Sequence, residues 1–384
     1  MTNSTFLFDA DECLAIDSLK RFLAEQIEPE VRAHGERPFD KEQLVGWMSQ
    51  LVDFGIITAP QPEEHGGLGL TWQMHVRLFE ELVYSSLDLA VPALINAAGA
   101  SMLIDLAPPH IVERYVPALL AGKAFASLGI SEPDVGSDVA AVKTRAVRDG
   151  DDWVISGEKT WISNGEFSDF LICTCRTGEN ALSHILVDRE DHGYEVRGIP
   201  KVALNSQSTA QIFLDEVRVP VANTIGQEGE GLRNTLTIFE RARIHMAVWG
   251  YGVARRAMDE AIKYSQERKQ HGKIIAGHQL IADKIATMAT NIDAARLLTL
   301  RAAAMIDAGQ RCDAECSMAK WFGTEITVDA TRQALQIHGG NGVTREFIVE
   351  RLAREALIGP IPDGTTEIQK LLIARSLTGV HAFR

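Results

Sequence analysis

What this chain has little of narrows its reading first. Five cysteines in 384 residues are too few for a disulfide framework and odd in number, so free, buried thiols are expected. Cys173 and Cys175 sit two apart in a strand-like run and are read as pointing to opposite faces. Cys312 and Cys316 fit one helical face, but no histidine and no second cysteine pair flanks them, so no metal site is expected. Cations are in deficit, 38 Lys and Arg against 52 Asp and Glu, for a net charge of −14. Nucleic acid or an anionic membrane would need clustered cations to displace counterions, so neither is an expected partner. No apolar run reaches the roughly 18 to 20 residues of a membrane span uninterrupted. The best candidate, Leu89 to Leu106, is broken by Asn96, Ser101 and Asp105. Met1 to Asp11 lacks both the apolar core of a secretory signal and the Arg-rich character of a transit peptide. A cytoplasmic protein is the expectation.

What is there is 46% hydrophobic, enough for a sizeable core and two or three domains. Leu14, Leu19, Phe22, Leu23 and Ile27 recur at helical spacing behind an acidic start, and prolines punctuate the helical segments that follow, which assigns residues 1–122 to an N-terminal α-helical domain. Short β-branched runs such as Trp153-Val154-Ile155 and Phe170-Leu171-Ile172 mark residues 123–225 as a central β domain. Gly157-Glu158-Lys159 and Asn164-Gly165-Glu166 are read as its hairpin connections, and Phe213 to Pro220 as its exit strand. Proline is absent from Val221 to Gly359, and stretches such as Ala276 to Ala308 repeat apolar residues at helical spacing, so residues 226–384 are read as a C-terminal helical bundle. The class is therefore α+β in the unusual order α, β, α.

Three segments carry more specific information. They are Leu128-Gly129-Ile130-Ser131-Glu132-Pro133-Asp134-Val135-Gly136-Ser137-Asp138, then Gly157-Glu158-Lys159-Thr160-Trp161-Ile162-Ser163-Asn164-Gly165, and finally Gln336-Ile337-His338-Gly339-Gly340-Asn341-Gly342 followed by Asp363-Gly364-Thr365-Thr366-Glu367-Ile368-Gln369. Together, in this order across nearly the whole chain, they resemble the FAD-dependent acyl-CoA dehydrogenase family. The resemblance implies an N-terminal helical domain, a central β-barrel-like domain, a C-terminal four-helix bundle, and a homotetramer. It implies that FAD is held by Leu128, Ile130, Ser131 and Ser137 in the first segment and by Trp161, Ile162 and Ser163 in the second. Arg268, Gln270 and Gln279 match positions at the adenine and pyrophosphate end. Gln336, Gly339 and Gly340 match a turn that serves a neighbouring subunit's flavin, and Thr365 and Glu367 complete the set. Ser137, Glu240, Arg243 and Gly364 match substrate contacts. Taken alone, Trp161 reads as a core aromatic, Arg268 as a solvated helix charge, and Ser137 with Asp138 as a turn or cap.

The implied reaction removes the proton alpha to a thioester carbonyl with a carboxylate, passes the beta hydride to flavin, and hands the electrons to an electron-transfer flavoprotein. Where the family carries Glu, this chain has Asp363, shorter by about one bond, ~1.5 Å. Proton transfer is sensitive to shifts of about 1 Å, so an advanced loop, a branched or cyclic acyl group, or a changed reaction is expected. The alternative base position of relatives, just before Arg243, holds Ala242. The competing bland role for Asp363 is to cap the helix starting near Gly364. Proline stands at 362 and not 363, so the base keeps the N–H that the family offers to the thioester oxygen. A second departure is Ala203 and Asn205, where relatives carry Gly and a basic residue. That change leaves open a substrate on acyl-carrier protein instead of CoA. A reductase or oxidase on the same fold and a non-enzymatic flavin-binding scaffold are the remaining alternatives.

Overall fold

The computed structural model describes residues 7–382, so the first residues of the opening segment judged above for a targeting signal lie outside the described part. In chain order the helices are α1 (Ala10–Phe22), α2 (Glu28–His34), α3 (Lys41–Val52), α4 (Trp72–Ser85), α5 (Leu87–Leu106), α6 (Pro109–Leu120), α7 (Gly231–Glu267), α8 (Gln279–Asp307), α9 (Asp313–His338), α10 (Val349–Ala356) and α11 (Thr366–Thr378). Between α6 and α7 run β1 (Ala126–Gly129), β2 (Arg145–Asp149), β3 (Asp152–Ser163), β4 (Phe170–Gly178), β5 (Ala181–Asp188), β6 (Glu195–Gly198), β7 (Thr209–Pro220) and β8 (Thr224–Ile225). A small hairpin of β9 (Lys269–Gln270) and β10 (Lys273–Ile274) joins α7 to α8. The expected α, β, α order is what forms. Two compact units make up the chain, one of Met1–Glu30, Thr71–Leu87 and Glu240–Arg384, the other of Val31–Leu70 and Asp88–Phe239.

The first unit is helical. Along α9 the buried positions Ala319, Lys320, Gly323, Thr324, Thr327, Ala330, Thr331, Ala334 and Ile337 recur every three or four residues, mostly small, so neighbouring backbones approach closely. At Gly250 on α7 a Cβ would lie 2.2 Å from the Gly323 carbonyl oxygen. Backbone cannot step aside as a side-chain tip can. Gly250→Ala is therefore expected to destabilise the protein by about 1–3 kcal/mol, read as a lower urea midpoint at unchanged slope. A midpoint equal to wild type would show that the two helices separate freely.

A buried ion network sits in the same unit. Glu80 and Glu81 on α4 face Arg77, Arg255 on α7 and Arg296 on α8, with Arg296 Nη2 at 2.8 Å from Glu80 and Arg255 Nη2 at 2.6 Å from Glu81. Burial pushes the Glu80 carboxyl up, but the three guanidiniums together hold it far below the carboxylate range. Charges this deep are tolerated because each meets an opposite charge and a hydrogen bond.

The second unit is built on one sheet in the order β6-β7-β3-β2-β4-β5-β8, with β1 pairing parallel to β4. Its inner face is Trp153, Ile155, Ile162, Leu171, Ile185, Val187, Ile212 and Leu214. Helix α5 is long and apolar enough to cross a membrane by length and composition, yet 78% of that stretch is buried inside the protein. Its Asn96, fully buried, accepts from Ala126 N at 3.1 Å and donates to Ala124 O at 2.8 Å. The helix thereby anchors β1 by its polar interruption.

Three local expectations are corrected. Gly157-Glu158-Lys159 is no hairpin connection but the bulged middle of β3, where Gly157 has φ +153 and an added Cβ would lie 2.5 Å from Thr144 Oγ1. The polar trio looked like a turn because the burial of Lys159 depends on a distant partner. The exit strand starts at Thr209, earlier than Phe213, because Thr209 and Ala210 pair with Ser163 and Ile162. Cys173 and Cys175 share a face, both buried, with their sulfurs 3.5 Å apart, because residues two apart on a strand point the same way. All five cysteines are free thiols.

Candidate active site

In the second unit, the end of β1 carries Leu128 and leads into a tight turn in which Glu132 and Val135 exchange both backbone hydrogen bonds, at 2.9 and 3.0 Å. Beneath the turn, Lys159 Nζ donates to Glu132 Oε1 at 2.8 Å and to Ile130 O at 3.2 Å. Glu132 also accepts from Thr144 N at 2.9 Å and Lys143 N at 2.7 Å, and both of its pair's side chains are almost wholly buried. Burial raises the Glu132 carboxyl, but Lys159 and these donors bring it below its ordinary value. The sequence pattern missed this pair, although an acidic residue inside the first segment and a lysine inside the second were both visible.

Thr160 N donates to Ser131 O at 3.0 Å, so the Ser131 turn is tied to the bulge of β3. There Trp161 takes φ +62 and is 62% exposed, whereas the next residue, Ile162, sits in the core. A large aromatic held out of the core in a left-handed conformation is a costly arrangement for a strand. It fits a planar ring system stacking on the indole beside the half-buried Ser131 and Ser163. Ile162 could meet such a ligand only through its backbone. Ser137 is exposed further along the loop.

In the first unit the loop before α11 carries Asp363. The helix N-cap is Thr365, whose Oγ1 accepts from Ile368 N at 3.5 Å, so capping falls to Thr365 and the Asp363 carboxylate is left uncommitted. Among the described residues the Asp363 N–H has no acceptor and its carboxylate no hydrogen bond. Asp363 has φ +54 and Gly364 φ +90. Asp tolerates the left-handed region better than most residues, which gives a backbone reason for Asp at this place. Desolvation raises its carboxyl above the usual range, while Lys320 and Arg243 pull the other way. Gly364 packs tightly, with an added Cβ falling 2.7 Å from Gln369 Nε2, and Glu367 is exposed on the first turn of α11.

Arg243 is buried with its Nε unpartnered, and burial lowers its guanidinium while Cys316, Asp313, Asp363 and Glu240 raise it. Glu240 does more than sequence reading assigned it. Its Oε1 accepts from Cys312 N at 3.2 Å and Cys312 Sγ at 3.3 Å, and Cys312 and Cys316 sulfurs lie 3.5 Å apart. The cysteine pair thus has a third potential metal ligand that no local pattern announced. The Arg243 cation acting on the same carboxylate and thiol opposes a metal ion there.

The remaining candidates lie on the surface of the first unit. Arg268, Gln270 and Gln279 are exposed around the β9–β10 hairpin, where Ile275 N donates to Arg268 O at 2.8 Å. Gln336, Gly339 and Gly340 are exposed at the end of α9, where Tyr264 stacks on His338 and Asn341 Nδ2 donates to the Tyr264 hydroxyl at 3.0 Å. Asn205, one of the two departures in the β domain, has its Oδ1 accepting from Lys201 N at 3.3 Å, and Ala203 is fully buried. Asn205 thus closes its own turn.

Comparison with known proteins decides the family. The acyl-CoA dehydrogenase N-terminal, middle and C-terminal domain families match residues 9–123, 127–217 and 229–378. The cyclohexane-1-carbonyl-CoA dehydrogenase of Geobacter metallireducens is 34% identical over 97% of this chain and 99% of its own. The chain belongs to the acyl-CoA dehydrogenase family. Subunit CarC of the caffeyl-CoA reductase–Etf complex of Acetobacterium woodii is 33% identical over 95% of this chain and 96% of its own. A glutaryl-CoA dehydrogenase from Mycobacterium smegmatis, solved in complex with FADH2, superposes with a TM-score of 0.93 at 25% identity, covering 100% of this chain and 98% of that one. As an acyl-CoA dehydrogenase family member the protein is an oxidoreductase, and the family implies FAD.

Proposed function

We propose that this protein is an FAD-dependent acyl-CoA dehydrogenase that introduces an alpha,beta double bond, with Asp363 as the base. The carrying observation is Asp363 itself, whose carboxylate and N–H are both uncommitted and whose carboxyl is raised by desolvation toward working pH. FAD, when bound, supplies the hydride acceptor. Leu128, Ile130, Ser131, Trp161, Ile162 and Ser163 would hold its ring system, and Arg268, Gln270 and Gln279 its adenine and pyrophosphate end. Asp363 takes the alpha proton, and its N–H polarises the thioester oxygen so that this proton becomes acidic. Arg243 would hold the thioester arm.

A free CoA thioester is favoured over a carrier protein, since the missing basic residue at 205 has an intramolecular explanation in the turn it closes. A cyclic or branched acyl group is favoured by the short base and by the cyclohexane-1-carbonyl-CoA in the Geobacter relative's name. Electrons would pass to an electron-transfer flavoprotein, as the name of the CarC complex suggests for that relative. The surface turn at Gln336, Gly339 and Gly340 would serve a neighbour's flavin in a cytoplasmic homotetramer, coupling assembly to cofactor retention. The test is anaerobic titration of the yellow protein with straight, branched and cyclic acyl-CoA thioesters. Bleaching by at least one, strongest for a cyclic or branched group, is expected. Bleaching by none of them, with bleaching by a carrier-bound acyl group, would overturn the CoA assignment.

A further inference from the structure

The loop that presents Asp363 is held by two buried polar side chains, Lys320, which no motif marks, and Gln369, the last residue of the third segment, to which sequence reading gave no role. Lys320, wholly buried on α9, donates from Nζ to Pro360 O at 2.8 Å and to Gly364 O at 2.9 Å. Gln369, also wholly buried on α11, donates from Nε2 to Asp363 O at 3.0 Å and to Gly364 O at 2.8 Å. Thr366 N closes the loop on Pro360 O at 3.2 Å, and Thr366 Oγ1 donates to Glu325 Oε1 at 2.5 Å. The carbonyls of Pro360 before Asp363 and Gly364 after it, and its own, are thus taken by side chains from two helices.

We propose that Lys320 and Gln369 are positioning residues for the proton abstraction: their clamp on the carbonyls of Pro360, Asp363 and Gly364 holds residue 363 in its left-handed conformation and so aims both its carboxylate and its N–H. The inference deepens the reading of Asp363 as base and rests on it. An ammonium is costly to bury, and a loop needing only two satisfied carbonyls is served by neutral donors at lower cost. What Lys320 adds is charge beside the base. Lys320 and Arg243 both lower the Asp363 carboxyl, against desolvation. Lys320 is itself brought down to about 8 by burial and Arg243, against the pull of Asp363, Glu325 and Glu367. The two residues therefore have separable roles, since both position the loop and only Lys320 also acts by charge.

The experiment measures single-turnover flavin reduction against pH in flavin-loaded Lys320→Met and Gln369→Met, with the acyl-CoA that bleaches wild type best. A base displaced by about 1 Å loses on the order of 10² in rate, and both variants are expected to fall by about that factor with substrate affinity little changed. In Lys320→Met the acid limb also moves to higher pH, because the lost cation no longer favours the carboxylate; in Gln369→Met the limb stays in place. Amide exchange over residues 363–366 is expected to accelerate in both while that of α8 does not. A Lys320→Met protein that reduces at the wild-type rate, or slowly but with an unshifted limb, overturns the proposal. Should that variant not fold, a wild-type rate in Gln369→Met overturns it alone. The base assignment fails separately: if Asp363→Asn still reduces its flavin with substrate, Asp363 is not the base. If Asp363→Asn is inactive and Lys320→Met behaves as wild type, only the positioning role falls.

Discussion

Asp363→Asn is expected to purify with its flavin bound and to lose flavin reduction by substrate, with a fall on the order of 10⁴ in the single-turnover rate. The amide keeps the size of the side chain, so the left-handed loop and its clamp persist; Asn is as tolerant of that backbone as Asp. What disappears is the capacity to accept a proton. In the wild type the carboxyl is already raised by desolvation, and an acyl chain that excludes water raises it further. The acid limb of kcat/KM is therefore expected above the ordinary aspartate range, and activity falls as pH drops through it because the protonated base cannot act. Stopped-flow reduction under anaerobic conditions reads both effects. An Asn variant within tenfold of wild type would remove Asp363 from the mechanism.

Lys159→Met is expected to cost about 3–5 kcal/mol of stability, because Glu132 is left charged and buried with only backbone donors. The turn carrying Ser131 loosens with it, so loss of flavin on dilution should accompany the lower urea midpoint. The sign of the pH dependence is specific. In the wild type the Glu132 carboxyl lies below its ordinary value, so its contribution is complete above the ordinary carboxylate range and is lost as pH falls through the folded-state value. In the variant Glu132 protonates more readily, and the stability gap between the two proteins narrows toward acid pH. The double variant Glu132→Gln, Lys159→Met should recover most of the loss, since removing both charges removes the buried orphan. An equal gap at neutral and acid pH would mean that the damage is packing and not charge.

The legible parts of this protein were those written in local pattern. Apolar spacing sufficed for the α, β, α order, since helix and strand periods are properties of a dozen neighbouring residues. Asp363 was readable because its motif is contiguous, and the structure then supplied a reason for Asp: φ +54, in a loop where Thr365 does the capping. Gly157 to Lys159 misled because the same three residues suit a turn or a bulge, and only pairing with β7 on one side and Glu132 underneath chooses between them. Cys173 and Cys175 were misread although the period of a strand already places them on one face.

The amino-acid sequence by itself determined the family, the element order and the identity of the carboxylate offered as base. The tertiary structure alone decided which polar residues were buried and with whom, Lys159 with Glu132 and Lys320 with the carbonyls of Pro360 and Gly364, and that the half-buried Glu240 meets Cys312. The reason is physical. A lysine or glutamate has the same local signature in water as in a core, and only a partner brought from a distant part of the chain makes its burial affordable.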